Sequence, residues 1–274
     1  MTDPIISVAD AIRRHGNAGT VFLDATWTFE GGPQPRVTGC IPGARPIDID
    51  TVKDETSSLP HMLPPPDVFE HHARALGINR DSELIVYDRM GLFSAARVWW
   101  MFRAMGHEAV RVLDGGLPLW LTEGGPVENG PAGDWPQGDF TADFQPHRLA
   151  GREQVLDAVT SGTHQILDAR PAARFAGSAA EPRPGMRSGH MPGALSLPFI
   201  QLLNERGELA GQADHFRAAG LRDDRPVITT CGSGVTACIL ALGLERLGRT
   251  AAVYDGSWAE WGSRDDTPIE TGQD

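Results

Sequence analysis

Cys231 stands in the run Thr230-Cys231-Gly232-Ser233-Gly234-Val235-Thr236-Ala237. Before it, the β-branched run Val227-Ile228-Thr229-Thr230 reads as a short buried strand; after it, Val235 to Leu247 carries apolar residues at helical spacing. The spacing predicts a strand-to-helix turn that begins with a cysteine. At such a turn the first N–H groups of the helix lack intrahelical partners, and Gly232 and Gly234 let the backbone curl so that several of them face one sulfur. Hydrogen bonds to an anion are stronger than those between neutral groups, so the turn can stabilise a thiolate without a metal. The chemistry on offer is nucleophilic attack by sulfur. Cys238, inside the helical run, has nothing around it that favours an anion and reads as core.

Composition bounds what such a cysteine can serve. The 274 residues suffice for about two ordinary domains, and 41% hydrophobic with 22% charged residues is the balance of a chain that buries a core. A net charge of −12 argues against nucleic acid or an anionic membrane as partner. It does not exclude a small anionic substrate, because arginines act locally while carboxylates beyond a Debye length of about 8 Å are screened. Met1 to Arg14 carries Asp3 and Asp10 and no signal-like apolar run, and no stretch approaches a membrane span, so the expectation is a soluble cytoplasmic protein. Cys40, Cys231 and Cys238 make an odd count with no CxxC pair. Neither a disulfide framework nor a zinc site is expected. His71 and His72 are adjacent and cannot share a helix face, and no HExxH occurs, so no metal is expected.

The elements that must position Cys231 come in two copies. Val21-Phe22-Leu23-Asp24-Ala25 recurs as Gln165-Ile166-Leu167-Asp168-Ala169, and Gly39-Cys40-Ile41-Pro42-Gly43-Ala44 as Gly189-His190-Met191-Pro192-Gly193-Ala194. Leu84-Ile85-Val86-Tyr87 aligns with Val227-Ile228-Thr229-Thr230, and Val112-Leu113-Asp114-Gly115-Gly116 with Val253-Tyr254-Asp255-Gly256-Ser257, followed by Trp120 and Trp261. Matches in one order at so long a period mean a duplicated domain. Short apolar strands alternate with helical stretches at Asp67–Leu76, Ser94–Met105, Gln154–Val159 and Val235–Leu247. The fold class is therefore α/β, two domains of mainly parallel sheet with helices on both faces. Residues 1–122 form a first domain, 123–150 a Pro/Gly-rich linker packed on the surface, and 151–274 a second domain. Ligands bind such sheets at the carboxyl ends of strands, where Cys231 falls. The same alignment puts Asp88 opposite Cys231 and Gly91 opposite Gly234, so the first domain is expected to be catalytically silent.

The segment Cys231-Gly232-Ser233-Gly234-Val235-Thr236-Ala237 resembles the active-site loop of the tandem-rhodanese sulfurtransferases, in particular the 3-mercaptopyruvate branch. The thiosulfate-preferring branch usually has basic residues where this chain has Gly232 and Ser233. The resemblance implies that Arg174, in Arg174-Phe175, and Arg183, in Glu181-Pro182-Arg183, bind the substrate's carboxylate and carbonyl, with Gly232, Gly234, Val235 and Thr236 lining the loop. An arginine fork suits a carboxylate because it offers two parallel hydrogen bonds. Arg170 and Arg187 are left as surface or structural residues. From Asp48-Ile49-Asp50 and Pro60-His61-Met62-Leu63-Pro64 the resemblance also implies a relay of Asp50, His61 and Ser233, contributed by both domains. In such a relay the aspartate fixes the histidine tautomer, and the histidine polarises the serine hydroxyl.

The implied reaction takes sulfur from 3-mercaptopyruvate onto Cys231 as a persulfide and passes it to cyanide, a thiol or thioredoxin. No cofactor is needed beyond that covalent intermediate. Thiosulfate as donor is the second reading, and a non-catalytic sulfur-carrier module the third. A cysteine phosphatase would need an arginine six residues after the cysteine, where this chain has Ala237. Cys40, where the family often has histidine, is expected to be structural.

Overall fold

The computed structural model describes residues 3–29, 31–32, 34–130 and 133–272. Its contacts divide the chain into two compact units that are not contiguous in sequence. One comprises Met1–Glu55, Leu63–Gln145 and Leu203–Leu209, the other Thr56–Met62, Pro146–Leu202 and Ala210–Asp274. The stretch expected as a linker groups up to Gln145 with the first unit, where Phe140 is buried edge-on against Phe69 and Phe102.

In chain order the first unit contains β1 (Ile5–Ile6), α1 (Val8–Arg14), β2 (Thr20–Asp24), β3 (Arg45–Pro46), α2 (Pro66–Ala75), β4 (Glu83–Tyr87), α3 (Ala95–Ala104), β5 (Val110–Leu113) and α4 (Gly116–Thr122). The second contains β6 (Leu149–Ala150), α5 (Arg152–Ser161), β7 (Gln165–Asp168), α6 (Ala172–Phe175), β8 (Leu195–Ser196), α7 (Gln212–Ala218), β9 (Val227–Thr230), α8 (Ala237–Arg246), β10 (Ala252–Tyr254) and α9 (Ser257–Trp261). Each unit has a five-stranded sheet, ordered β1-β5-β4-β2-β3 in one and β6-β10-β9-β7-β8 in the other. All the strand pairs are parallel, and the two orders correspond strand for strand, as the internal repeat requires. The α/β fold class read from the sequence is the one observed.

The central strands β4 and β9 are buried along almost their whole length, which is why they read as continuous apolar or β-branched runs rather than alternating ones. The helices that follow them, α3 and α8, are also buried nearly all round. Glycine makes room for one of these contacts: a β-carbon on Gly243 of α8 would meet Phe216 of α7 at 3.2 Å. Fully buried Trp120 anchors the first core with Phe22 and Tyr87, and fully buried Trp258 and Trp261 anchor the second with Tyr254. Burial of each such ring is worth at least about 2 kcal/mol. The duplicated Pro-Gly-Ala turns end alike: Cys40 bridges Glu128, and His190 bridges Glu270.

Candidate functional site at the carboxyl end of β9

Strand β9 ends at Thr230, between β7 and β10. The chain then turns through Cys231–Thr236 before α8 begins at Ala237, two residues later than the apolar periodicity predicts. The delay has a backbone cause, since Gly234 sits in the left-handed region at φ +77° and the turn must close before helical bonding starts. Cys231 is 2% exposed, Ser233, Gly234 and Val235 are buried, and Gly232 and Thr236 are half-buried. Cys238 is fully buried and its thiol donates to the Gly234 carbonyl at 3.2 Å, so it is core and also ties the turn to the helix.

The turn is held from one side by α9. The Trp258 N–H donates to the Cys231 carbonyl at 3.0 Å and the Ala259 N–H to the Gly232 carbonyl at 2.8 Å. Both carbonyls thereby satisfy the unpaired donors at the start of that short helix. Ser257 completes the grip. Its hydroxyl accepts the Cys231 N–H at 3.2 Å and donates to the Tyr254 carbonyl at 2.7 Å. Ser257 is fully buried at φ +48°, a conformation that costs a non-glycine residue roughly 1 kcal/mol or more. The corresponding residue of the first unit is Gly116, at φ +56°.

Arg174, on α6, also approaches the turn. A β-carbon on Gly232 would stand 3.0 Å from Nη2 and 3.9 Å from Nη1 of its guanidinium. Glycine at 232 is therefore what lets the arginine lie over the turn, one residue from the cysteine. Arg174 is held by Glu181, whose carboxylate is 1% exposed and accepts from Nε at 3.2 Å and from Nη2 at 2.5 Å. The same carboxylate accepts from Arg170 Nη1 at 2.9 Å. Arg170 in turn forks onto Asp168 at the end of β7, donates to the Gly189 carbonyl at 2.8 Å and lies 4.0 Å from the centre of the Trp258 ring. Paired carboxylates outweigh burial and raise the Arg170 pKa, so it is a fixed buried cation with a structural part. Arg187 is structural too, donating to the carbonyls of Trp261, Arg264 and Thr267.

Arg183 is half-buried in the segment that follows Glu181. His61 is 4% exposed at φ +58° and belongs to the same compact unit as Cys231 and Ser233. Asp50 belongs to the other unit, where its carboxylate accepts the Trp27 indole N–H at 2.7 Å. Cys40 is 1% exposed, and burial foremost, with Glu128 adding to it, pushes its thiol pKa up. Its burial is consistent with the structural role expected of it.

Sequence reasoning missed Ser257 and the pairing of Glu181 with two arginines. The signal for Ser257 was present in the repeat, which sets a serine against Gly116 of the first copy. For Glu181 no local signal existed, because its partners are fixed by how the segment after α6 folds back.

The arrangement defines a class: a duplicated α/β protein whose second domain carries a buried cysteine at a strand-to-helix turn, with an arginine against the glycine that follows it. A family model described as "Rhodanese-like domain" matches residues 7–123 and 152–264. The chain is 47% identical over 241 residues to a 3-mercaptopyruvate sulfurtransferase of Escherichia coli, covering 86% of this chain and 85% of the relative. It is 41% identical over 298 residues to "Thiosulfate/3-mercaptopyruvate sulfurtransferase 1, mitochondrial" of Arabidopsis thaliana, covering 98% and 79%. A crystal structure of an E. coli 3-mercaptopyruvate sulfotransferase superposes with a TM-score of 0.83 at 39% identity, covering 94% of this chain and 99% of that one. The chain belongs to the rhodanese family. Among the described residues no helix is long and apolar enough to cross a membrane.

Proposed function

We propose that this chain transfers sulfur from 3-mercaptopyruvate through a persulfide on Cys231. The thiolate attacks the substrate sulfur, the carbon–sulfur bond breaks, and its electron pair leaves on the three-carbon fragment as the enolate of pyruvate. Protonation of that enolate, by the proton the cysteine gave up, yields pyruvate and leaves the sulfur on Cys231. An acceptor nucleophile (cyanide, a small thiol or thioredoxin) then attacks the outer sulfur and restores the thiolate. Arg174 and Arg183 bind the carboxylate and carbonyl and stabilise the enolate. Ser233, with His61 and Asp50 behind it, handles the proton; this part rests on the resemblance of those segments to the family. Gly232, Gly234, Val235 and Thr236 form the turn that receives the persulfide. The reaction calls for no separate cofactor.

The observation that carries the reading is the position of Arg174 over Gly232, beside Cys231. A keto acid needs an anchor for its carboxylate one short spacer away from the transferred sulfur, and the nearness of the Arg174 guanidinium to Gly232 supports it in that part. Thiosulfate is the second reading, favoured by the Arabidopsis relative's name, which includes it. The test is steady-state transfer to cyanide from each donor, with Cys231→Ser as the blank. We expect kcat/KM for mercaptopyruvate at least about tenfold above that for thiosulfate, a gap of about 1.4 kcal/mol, and none in the blank. Thiosulfate ahead of mercaptopyruvate would reverse the assignment, and turnover with neither would favour a sulfur carrier.

A further inference from the structure

Arg174 has two edges by which it can hold a carboxylate, and among the described residues Glu181 takes one of them. A guanidinium offers a side-on fork from Nε and one Nη, and an end-on fork from Nη1 and Nη2. Glu181 takes the Nε and Nη2 donors, at 3.2 Å and 2.5 Å. The Nη1–Nη2 edge is the one near Gly232, with those atoms 3.9 Å and 3.0 Å from a β-carbon position there. We propose that Glu181 is a positioning residue, which fixes the edge of Arg174 that meets the substrate carboxylate. The proposal rests on the reading of Arg174 as the carboxylate anchor and deepens it.

Three features fit Glu181 for this part. Its carboxylate is 1% exposed, whereas Arg174 is 22% exposed, so the anchor is dry and the working group is reachable. Water does not compete for the anchoring fork, which keeps one orientation of the guanidinium. Glu181 is itself fixed, since Arg170 holds its Oε1 and is tied independently to Asp168 and Gly189. The chain of contacts ends on the wall of the site, because the ring under Arg170 is Trp258, whose N–H holds the Cys231 carbonyl. Charge also balances along it. Asp168 and Glu181 neutralise Arg170 and Arg174, so a substrate carboxylate is recognised by directed hydrogen bonds rather than by a surplus of positive charge.

Glu181→Gln tests this, because an amide has one acceptor oxygen and cannot take the Nε and Nη2 donors as a carboxylate does. Two readouts are taken on the variant and the wild type: sulfur transfer to cyanide from both donors, and pyruvate binding by calorimetry. Misaimed Arg174 should cost mercaptopyruvate about tenfold or more in kcat/KM, chiefly through KM, and weaken pyruvate by a similar factor. Thiosulfate, which has no carboxylate, should change by less than about threefold, and Glu181→Asp should recover part of the loss. Equal losses with both donors together with a lowered Tm would overturn the proposal, making Glu181 structural only. So would unchanged pyruvate affinity, or a wild type that does not bind pyruvate. Wild-type pyruvate binding that Glu181→Gln weakens, without mercaptopyruvate turnover, would instead refute the functional reading and leave the aiming of Arg174 intact.

Discussion

The two strand-to-helix turns, one after β4 and one after β9, solve the same backbone problem with opposite occupants. In the first unit Asp88 is fully buried, and its carboxylate accepts the N–H groups of Met90 at 2.9 Å, Phe93 at 2.7 Å, Ser94 at 2.9 Å and Ala95 at 3.0 Å. The Leu117 N–H donates to the Asp88 carbonyl at 3.0 Å, as that of Trp258 does to Cys231. The turn is thus an anion cradle. In the first unit the chain fills it with its own side chain. By alignment the corresponding N–H groups of the second turn are those of Ser233, Thr236, Ala237 and Cys238. A carboxylate oxygen stands two bonds beyond Cβ, and so does the outer sulfur of a cysteine persulfide, with an S–S bond of about 2.05 Å. The first turn therefore marks the donors that an anionic outer sulfur on Cys231 would meet.

Removing the occupant of the first turn is the strongest way to break this comparison. Burial pushes the Asp88 pKa up while the four N–H groups pull it back, so the cradle and the carboxylate depend on each other. Asp88→Ala leaves four buried donors without their acceptor and should destabilise the protein by about 4 kcal/mol, read as a shift of the denaturant midpoint. Sulfur transfer by the folded fraction should change by less than about threefold, because Asp88 and Cys231 belong to different units. A loss of transfer without a loss of stability would mean that the first turn takes part in the chemistry.

Much of this comparison was legible in the sequence, because it is written in local signals. The repeat placed Asp88 against Cys231, and the glycines located the turn. The expected helices at Asp67–Leu76 and Ser94–Met105 lie within a residue of Pro66–Ala75 and Ala95–Ala104, since apolar periodicity and tertiary packing agree there. Helix α8 starts two residues later than its apolar periodicity because Val235 is apolar for the sake of burial in the turn, not of a helix. Arg170 shows what sequence could not resolve. Among the arginines between β7 and β8 it is the one buried, paired with two carboxylates and stacked on Trp258, and all of those contacts come from tertiary structure. The grouping of Thr56–Met62 with the second unit and Leu203–Leu209 with the first was equally invisible, because no composition change marks either exchange.

The two turns also differ in the residue that holds the first N–H of the loop. Ser257 keeps a left-handed backbone that its counterpart Gly116 adopts freely, and its hydroxyl holds the Cys231 N–H. Ser257→Gly relieves the strain and removes the hydrogen bonds, two effects of about 1 kcal/mol each and opposite sign, so Tm should move little. Cysteine placement should suffer instead. Persulfide formation in single turnover should slow about tenfold, while a faster rate would show that the strain hinders the reaction.

The smallest expected effect compares the two Pro-Gly-Ala turns, where Cys40 stands against Glu128 and His190 against Glu270. Burial and the neighbouring Glu128 raise the Cys40 pKa from 9.0, so its thiol stays protonated at neutral pH. The unfolded chain then loses this proton before the folded one does. The contribution to stability is complete below about pH 9 and is lost as pH rises through the folded value. Cys40→Ser should flatten the decline in stability measured above about pH 9 relative to wild type, with sulfur transfer at pH 7.5 unchanged. Alkylation follows the same sign: iodoacetamide at pH 8 should modify Cys40 far more slowly in the native protein than after denaturation. If Cys40 were labelled as fast as a free thiol, the turn would be open at this edge, and its likeness to the His190 turn would be one of sequence rather than of packing.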